Sequence, residues 1–291
     1  MLQNKIETLP KILGFLFVML GFLTTNGQHL NRVMATLDGD THEIGIQQEF
    51  TYVNDSQDTL TVLYFNDWAN AYEKKKTPLA RRFEEEFKKS LHLAKDKDRG
   101  STQMISAVDN EYKGLQWERS PEVDLIKIKL NHSLPPRDSV KIFLTYNVKL
   151  PPNKYTPYGY DKWYGYYLKD WYLTPAVYNG EWQLYSNKNL EDLYTGITNT
   201  VIDLTYPERL FLTTNFDDIG NTKFTSTQQA TLKGTNRKSC EIILSPAKKF
   251  TTHVTSTLTT VTDIEAVKYE EVLRGVSILK VSEFLYENLG K

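Results

Sequence analysis

Residues 155–187 read YTPYGYDKWYGYYLKDWYLTPAVYNGEWQLYSN and contain three tryptophans and nine tyrosines. Aromatic rings offer large apolar faces with polar tips, which suits a half-buried sheet or an interface. Glycines and prolines interrupt the run, so the chain turns repeatedly between short extended pieces. We therefore interpret this stretch, called the aromatic segment below, as the spine on which the strands before and after it pack.

Apolar and polar residues alternate on both sides of the aromatic segment, as is typical of half-buried strands. The first two such runs flank the turn Asn54-Asp55-Ser56 and predict a hairpin. Together the runs predict a mainly β domain, a sandwich or an open saddle of antiparallel sheets. The predicted strands cover residues 41–53, 59–65, 103–108, 125–130, 139–149, 200–206, 209–214, 223–232, 240–244 and 250–261.

Two segments have helical periodicity instead. After Pro78, the apolar residues Phe83, Phe87 and Leu91 recur every four residues among charged ones. This pattern predicts an inserted amphipathic helix with a narrow apolar stripe. Residues 263–291 carry a second stripe and predict a C-terminal helix. That stripe needs a covering surface, either the sheets of this domain or a further domain.

The N-terminus has the features of a secretory signal peptide covering residues 1–27. Lys5 and Lys11 precede an apolar run at residues 12–23, and small residues precede a cleavage point before Gln28. The alternative is an uncleaved membrane anchor, but a bilayer span needs roughly 20 apolar residues. We therefore expect export to a bacterial periplasm, cell envelope or extracellular space, with no further membrane span.

Composition restricts the remaining possibilities. The chain of 291 residues is 40% hydrophobic, which is enough for a sizeable core, and its net charge is −1. A charge this close to neutral offers no basic field for nucleic acid. Cys240 is the only cysteine. No internal disulfide can form, which fits a bacterial envelope better than a eukaryotic secreted module. The predicted β domain covers residues 28–262.

The sequence contains none of the catalytic motifs we tested. His42-Glu43 begins an H-E-x-x-H zinc motif, but Ile46 stands where the second histidine is required. The other histidines form no short-spaced pair with histidine or cysteine. Nucleophile elbows, P-loops and dinucleotide fingerprints are also absent. The sequence therefore assigns no catalytic and no metal-binding residue.

Residues 42–72, HEIGIQQEFTYVNDSQDTLTVLYFNDWANAY, resemble the start of the N-terminal domain of aminopeptidase-N-like zinc metallopeptidases, the gluzincins. Residues 139–151 and 202–215 are similar to later strands of that domain, and residues 158–194 resemble its aromatic segment in the exported Bacteroidetes-type branch. Residues 284–291 resemble the helix that opens the family's catalytic domain. The matching motif positions are Asn54, Ser56, Asp58 and Leu60 in the turn, followed by Asp67, Trp68, Ala69, Asn70 and Ala71.

The resemblance implies a non-catalytic domain that packs on a catalytic domain, in cis or in trans, and shapes its peptide cleft. Zinc and peptide substrate are expected only through that missing domain, so this chain should be inactive alone. The family's Gln or Glu that holds the substrate amino group has no identifiable counterpart, because Leu173-Thr174-Pro175-Ala176 occupies the approximate place. The chain is then either a fragment of a longer protein or a truncated paralogue.

The alternative function is an exported β-sandwich that binds glycans or a protein partner. Under both hypotheses the aromatic segment supplies the contact, as an interface or as a ligand platform. Trp171 and Trp182 lie among leucine and valine residues, which favours burial over exposure. The candidate residues are Trp163, Trp171, Trp182, Tyr166 and Tyr178.

Overall fold

The computed structural model describes residues 28–121, 123–161, 165–188, 193–246, 251–254 and 259–262, together with residues 280, 284, 287 and 288. The predicted signal peptide (residues 1–27) and most of the predicted C-terminal helix (residues 263–291) lie outside the described residues. Across the part of the chain that is described, no helix has the length and apolar character needed to cross a bilayer.

The described chain is mainly β and carries one inserted α-helix, which confirms the predicted fold class. Helix α1 spans Pro78–Glu85, and short 3-10 helices span Trp68–Tyr72 and Asp96–Asp98. The strands are, in chain order, β1 (His29–Asp38), β2 (Glu43–Val53), β3 (Leu60–Asn66), β4 (Ser101–Asp109), β5 (Gln116–Arg119), β6 (Leu125–Leu134), β7 (Ser139–Lys149), β8 (Gly159–Asp161), β9 (Gly165–Lys169), β10 (Thr174–Pro175), β11 (Val177–Tyr178), β12 (Trp182–Gln183), β13 (Thr198–Pro207), β14 (Phe211–Thr214), β15 (Asp217–Lys223), β16 (Thr227–Arg237), β17 (Glu241–Ser245), β18 (Thr251–Val254) and β19 (Thr259–Thr262).

The largest sheet has seven strands in the order β15-β16-β13-β1-β2-β7-β4. Its pairs are antiparallel, except that β1 runs parallel to β13. Two four-stranded sheets have the orders β10-β3-β6-β5 and β14-β17-β9-β8, and β11-β12 and β18-β19 are separate pairs. The three larger sheets share one core. Phe50 of β2 meets Phe65 of β3 edge-on within it, with ring centroids 5.5 Å apart.

The predicted hairpin between the first two runs is wrong. Strand β2 pairs with β1 and β7, whereas β3 pairs with β10 and β6 in another sheet. Both edges of β2 are therefore occupied, and the chain crosses between sheets after Val53. Alternation identifies a half-buried strand, but it does not identify the neighbouring strand.

Asn54 is fully buried and holds the segment between β2 and β3 in place. Its Nδ2 donates to the carbonyl oxygens of Asp58, Leu134 and Pro135 at 2.8, 3.1 and 3.0 Å. Its Oδ1 accepts from the backbone N–H and the hydroxyl of Ser56 at 3.2 and 2.6 Å. One side chain thus ties the start of β3 to the end of β6, and no part of its amide is left unpaired.

Helix α1 is shorter than the sequence predicts. Thr77 caps its N-terminus, but the helix ends at Glu85. Phe87 then adopts a positive φ of 60°, and Lys88 N–H donates to the Phe83 carbonyl at 2.7 Å. These features form a Schellman cap, which stops a helix. Phe87 is 91% exposed, so its predicted place on the buried stripe is wrong.

Strands β1 and β15 were not predicted, and one prediction merged two strands. The inward face of β1 mixes Val33 and Leu37 with Asn31 and Ala35, while the apolar residues Leu30 and Met34 point outward, so its alternation is weak. All seven residues of β15 are exposed, so it has no alternation. The run at residues 250–261 contains two paired strands, β18 and β19, rather than one.

A buried polar network joins the aromatic segment to the seven-stranded sheet. Gln48 Nε2 donates to Asn31 Oδ1 at 2.9 Å and to the Leu173 carbonyl at 2.8 Å. The Tyr146 hydroxyl donates to Gln48 Oε1 at 2.6 Å and accepts from Leu173 N–H at 3.0 Å. Because these groups satisfy one another, the network fixes the position of Leu173 without an unpaired polar atom among these contacts.

We predict that Asn54→Asp destabilises the fold by about 3 kcal/mol, although it conserves side-chain shape. The substitution turns the Nδ2 donor into an acceptor that faces three carbonyl oxygens. Urea unfolding followed by circular dichroism measures the change. The matched control is Asn153→Asp at an exposed position, which should cost little. Equal stability of the two variants would contradict the role assigned to Asn54.

Candidate functional site

The aromatic segment connects the sheets, in agreement with its interpretation as a spine. It supplies β8 and β9 to one four-stranded sheet and β10 to the other. It also forms the β11-β12 pair. Between β9 and β10, Leu173 is bound to the seven-stranded sheet through Gln48 and Tyr146. The segment therefore touches every large sheet of the molecule.

Two of the candidate residues belong to the core, and a third lies outside the described residues. Trp171 is fully buried and meets Tyr172 edge-on, with ring centroids 5.3 Å apart. Tyr166 is also buried, and its hydroxyl lies 2.8 Å from His42 Nδ1. Burial raises the pKa of Tyr166 to about 12. Trp163 is the candidate outside the described residues.

The remaining two candidates form one cluster. Tyr178 and Trp182 face each other across the β11-β12 pair, and their ring centroids are 5.1 Å apart. Trp182 also contacts Tyr52 and Tyr64, at 6.0 and 5.5 Å. Tyr178 and Trp182 are both half-buried. The structure thus brings these two together and places Tyr166 and Trp171 elsewhere; a role in ligand binding stays a prediction.

A small cavity lies where β9 ends. Its volume is about 50 Å³, which leaves room for about one or two water molecules. We call it the Asp170 cavity. Its lining residues are Trp68, Ala69, Tyr72, Pro157, Tyr158, Tyr167, Lys169, Asp170, Asn187 and Leu193.

Asp170 combines backbone strain with burial of a carboxyl group. Its φ of 50° lies in the left-handed region, which is uncommon outside glycine and recurs at functional sites. Only 6% of its surface is exposed. Burial raises the pKa of its carboxyl to about 6, and the adjacent Lys169 opposes that shift. A strained, buried carboxyl with a perturbed pKa marks a candidate functional residue.

Two polar atoms of the cavity residues lack hydrogen-bond partners. Within the described part of the chain, Tyr158 Oη and Asn187 Oδ1 are buried and have no hydrogen-bond partner. Most buried polar side-chain atoms are hydrogen-bonded, so such exceptions need an explanation. With Asp170, these groups offer two hydrogen-bond acceptors and one phenolic donor. The cavity is therefore chemically suited to a small polar group.

A buried ion pair anchors the wall of this cavity. Asp67, which directly precedes the 3-10 helix Trp68–Tyr72, is 2.5 Å from the Arg119 guanidinium and accepts from the Thr102 hydroxyl at 2.6 Å. Burial raises the pKa of Asp67, while Arg119 opposes the shift. Asn70 receives the Thr102 N–H at 2.7 Å. These bonds hold the 3-10 helix against both neighbouring sheets.

Asp124 holds Asn187, another residue that lines the cavity. Its Oδ2 accepts the backbone N–H of Asn187 at 2.7 Å. Burial raises the pKa of the Asp124 carboxyl to about 7, and the hydrogen bond from Asn187 opposes the shift. The folded protein therefore favours the neutral carboxyl, and the ionised form becomes costly as the pH rises.

Beside the cavity, large apolar side chains are exposed. Leu184, Tyr185 and Tyr194 are 40%, 53% and 52% exposed, and the two tyrosine rings meet edge-on at 6.0 Å. We call these three residues the Tyr185 patch. The Tyr185 carbonyl accepts from Trp68 Nε1–H at 3.3 Å, which links the patch to the cavity wall.

Sequence reasoning missed Asp170, Tyr158 and Asn187. The sequence does carry one indication that Asp170 is unusual. It is a charged residue directly before the apolar run Trp171-Tyr172-Leu173, where burial is expected. Charged residues are rarely buried without a partner. No local signal identifies Tyr158 among nine similar tyrosines in the segment.

No metal centre accompanies the cavity. Across the described ranges, no three His, Cys, Asp or Glu side chains are grouped so that they could hold a metal ion. The expectation that zinc belongs to a separate catalytic domain stays a prediction.

The chain resembles M1 zinc metallopeptidase structures. The alignment with a mutant enzyme from Deinococcus radiodurans covers 80% of this chain and 45% of the enzyme's chain, with 9% sequence identity and a TM-score of 0.44. A mutant from the same organism, bound to a Tyr-ser-ala substrate, matches 87% and 52%, with 9% identity and a TM-score of 0.44. A two-domain mutant matches 87% and 52%, with 11% identity and a TM-score of 0.47.

The chain therefore spans about half the length of these structures. At TM-scores below 0.5, the likeness does not establish a shared activity. No protein-family model matches the sequence, and no curated protein matches it.

We predict that Asp124→Asn flattens the pH dependence of thermal stability. The folded pKa of about 7 lies above the ordinary value near 4. This stabilising contribution is complete below about pH 4 and is lost as the pH rises towards 7. Because asparagine is neutral at every pH, the melting temperature of the variant relative to that of the parent should be highest at pH 8. Melting temperatures at pH 5 and 8 measure the effect.

Some pH dependence should persist in Asp124→Asn, because burial also raises the pKa of Asp170, to about 6. The matched control is Asp40→Asn at an exposed position. If Asp124→Asn and the control show the same difference between pH 5 and 8, Asp124 is not the titrating group.

Proposed function

We propose that this chain is the non-catalytic N-terminal domain of an exported, aminopeptidase-like zinc metallopeptidase. In this proposal it packs on a catalytic domain and closes one side of the peptide cleft. The observation that carries the proposal is the exposed Tyr185 patch beside the Asp170 cavity, on the segment whose sequence resembles that family. Zinc and the peptide substrate would be held by the catalytic domain, in cis or in trans.

The Tyr185 patch has the composition of an interface. Exposed tyrosines that meet edge-on present apolar area at low conformational cost, and tyrosine is enriched at interface cores. Contiguous exposed apolar side chains on a soluble domain mark interaction sites.

The internal construction of the domain supports a rigid docking surface. Trp68 contacts the patch through its indole N–H, and the 3-10 helix that carries it is fixed by the Asp67–Arg119 pair. A surface that is already held in place by buried hydrogen bonds loses little conformational freedom when a partner docks. The apolar run at residues 12–23 supports export of a bacterial, Bacteroidetes-type protein as part of the same proposal.

The coding sequence after codon 291 tests the proposal first. We expect an open frame that encodes G-x-M-E-N and H-E-x-x-H motifs, or a neighbouring gene that does so. The purified chain alone should not hydrolyse aminoacyl-anilides, with or without added zinc. Zinc-dependent hydrolysis by this chain, or the lack of any encoded catalytic partner, would overturn the proposal.

We predict that Tyr185→Ser combined with Tyr194→Ser weakens association with that catalytic domain at least tenfold. The variant removes two aromatic rings from the patch without touching the core. Calorimetric titration of the two separately produced domains measures the affinity. Tyr112→Ser is the matched control, because Tyr112 is 75% exposed and stacks on Phe143 of β7. Equal affinities of both variants would exclude the Tyr185 patch as the contact.

A further inference from the structure

A second concave site lies between the turn after β2 and the loop around β11. It is a groove of about 640 Å³, which is within the range of ligand-binding pockets. The groove is separate from the Asp170 cavity and shares no lining residue with it. Its lining includes three rings and two carboxylates, from His29, Tyr52, Tyr178, Asp55 and Asp58.

Aromatic rings form one wall of this groove. His29 stacks on Tyr52, with ring centroids 4.5 Å apart and an interplanar angle of 29°. Tyr178 lies nearby, supported from behind by Trp182. Trp182 itself is surrounded by Tyr52, Tyr64 and Tyr178, so its ring supports the wall and does not line the groove.

The groove carries negative charge that no lining residue compensates. Asp55 and Asp58 both line it, and no lysine or arginine is among the described residues that do. His29 is neutral at physiological pH because burial lowers its pKa to about 4. Its Nδ1 accepts the Val53 N–H at 3.1 Å, as expected of an uncharged imidazole.

The two carboxylates have different roles. Asp58 accepts the Tyr178 hydroxyl at 2.8 Å and so fixes the ring in the wall. Asp55 has no ion pair or hydrogen bond within the described chain. Asp55 and Tyr52 both line the groove, which places this carboxylate beside the aromatic wall. Burial raises the pKa of Asp55. Burial also raises the pKa of Tyr52, and the charge of Asp55 adds to that shift.

We propose that this groove binds a cationic side chain, arginine or lysine, of a peptide or protein partner. Aromatic rings attract cations through their negative faces. A carboxylate that lacks an internal partner supplies the charge that the cation needs. A neutral glycan could contact the rings, but it would leave the charge of Asp55 uncompensated. The site does not require a catalytic domain, so it is independent of the function proposed above.

Titration with matched tripeptides tests this assignment. The probes are acetyl-Gly-Arg-Gly-amide and acetyl-Gly-Lys-Gly-amide, and the neutral controls carry citrulline or norleucine at the central position. Binding is followed at low salt by tryptophan fluorescence and by NMR shifts of the Tyr178 and Trp182 rings. We expect saturable binding of at least one cationic peptide, and at least tenfold weaker binding of its neutral counterpart.

Variants locate the binding charge. Asp55→Asn should weaken binding of the cationic peptide at least fivefold and leave the melting temperature unchanged, because Asp55 is exposed and makes no internal bond. Asp40→Asn, an exposed acid in another turn, is the matched control. Binding should also weaken as the pH falls through the pKa of Asp55, which burial places above its ordinary value.

Several outcomes would overturn the proposal. Equal binding of the arginine and citrulline peptides would show that charge is not recognised. Unchanged affinity in Asp55→Asn would exclude this groove. The lack of a saturable response to either cationic peptide would show that no such site exists, and a response to neutral oligosaccharides alone would assign the groove to glycans.

Discussion

The buried carboxylate of Asp67 is the constraint on which the neighbouring structure depends. Removing a charge from water is costly, and the cost is offset only when partners with good geometry surround it. Arg119 arrives from β5 and Thr102 from β4, so the two partners belong to different sheets. Asp67 directly follows β3, which lies in the same sheet as β5, so the ion pair forms beside one sheet and Thr102 links it to the other. Any packing that separates these sheets would remove the hydrogen bonds from the Thr102 hydroxyl to Asp67 and from Arg119 to the Thr102 carbonyl. The buried pair therefore favours one arrangement of the sheets, whatever its net contribution to stability.

The same hydrogen bonds also position the wall of the Asp170 cavity. The 3-10 helix that follows Asp67 forms one wall of the Asp170 cavity, and Asn70 fastens it to the carbonyl of Val123 at 2.6 Å. A second part of the wall, at Asn187, is held by Asp124 through the Asn187 N–H. Because both parts of the wall are held in place, the strained backbone of Asp170 can persist between them. The cavity is thus a consequence of sheet packing rather than of the aromatic segment alone.

The sequence predicts strands well where one face is apolar and the other is polar. Strand β7 was predicted at residues 139–149, which is where it lies, and β2 was predicted within two residues. Pairing could not be predicted in the same way. The chain leaves β2 for another sheet because Asn54 satisfies carbonyl oxygens from residues 80 positions away, and local alternation contains no such information. For β1 the alternation is weak, since Leu30 and Met34 face outward and the polar Asn31 is buried.

The sequence predicted which segment contains the candidate site, but not which residues of that segment form it. The high density of aromatic residues identified residues 155–187 as the place where sheets meet. It could not predict which of these rings are buried and which are exposed. Trp171 is fully buried while Tyr185 is half exposed, although both lie in similar aromatic and apolar surroundings in the sequence. The backbone of Leu173 is hydrogen-bonded to Gln48 and Tyr146 of the seven-stranded sheet, and Trp171, two residues earlier, lies in the core. The backbone of Tyr185 is also bonded, to Trp68, but its hydroxyl donates to Gln183 in an exposed hydrogen bond. Composition therefore locates such an interface, and the tertiary contacts of each ring decide whether that ring can reach a partner.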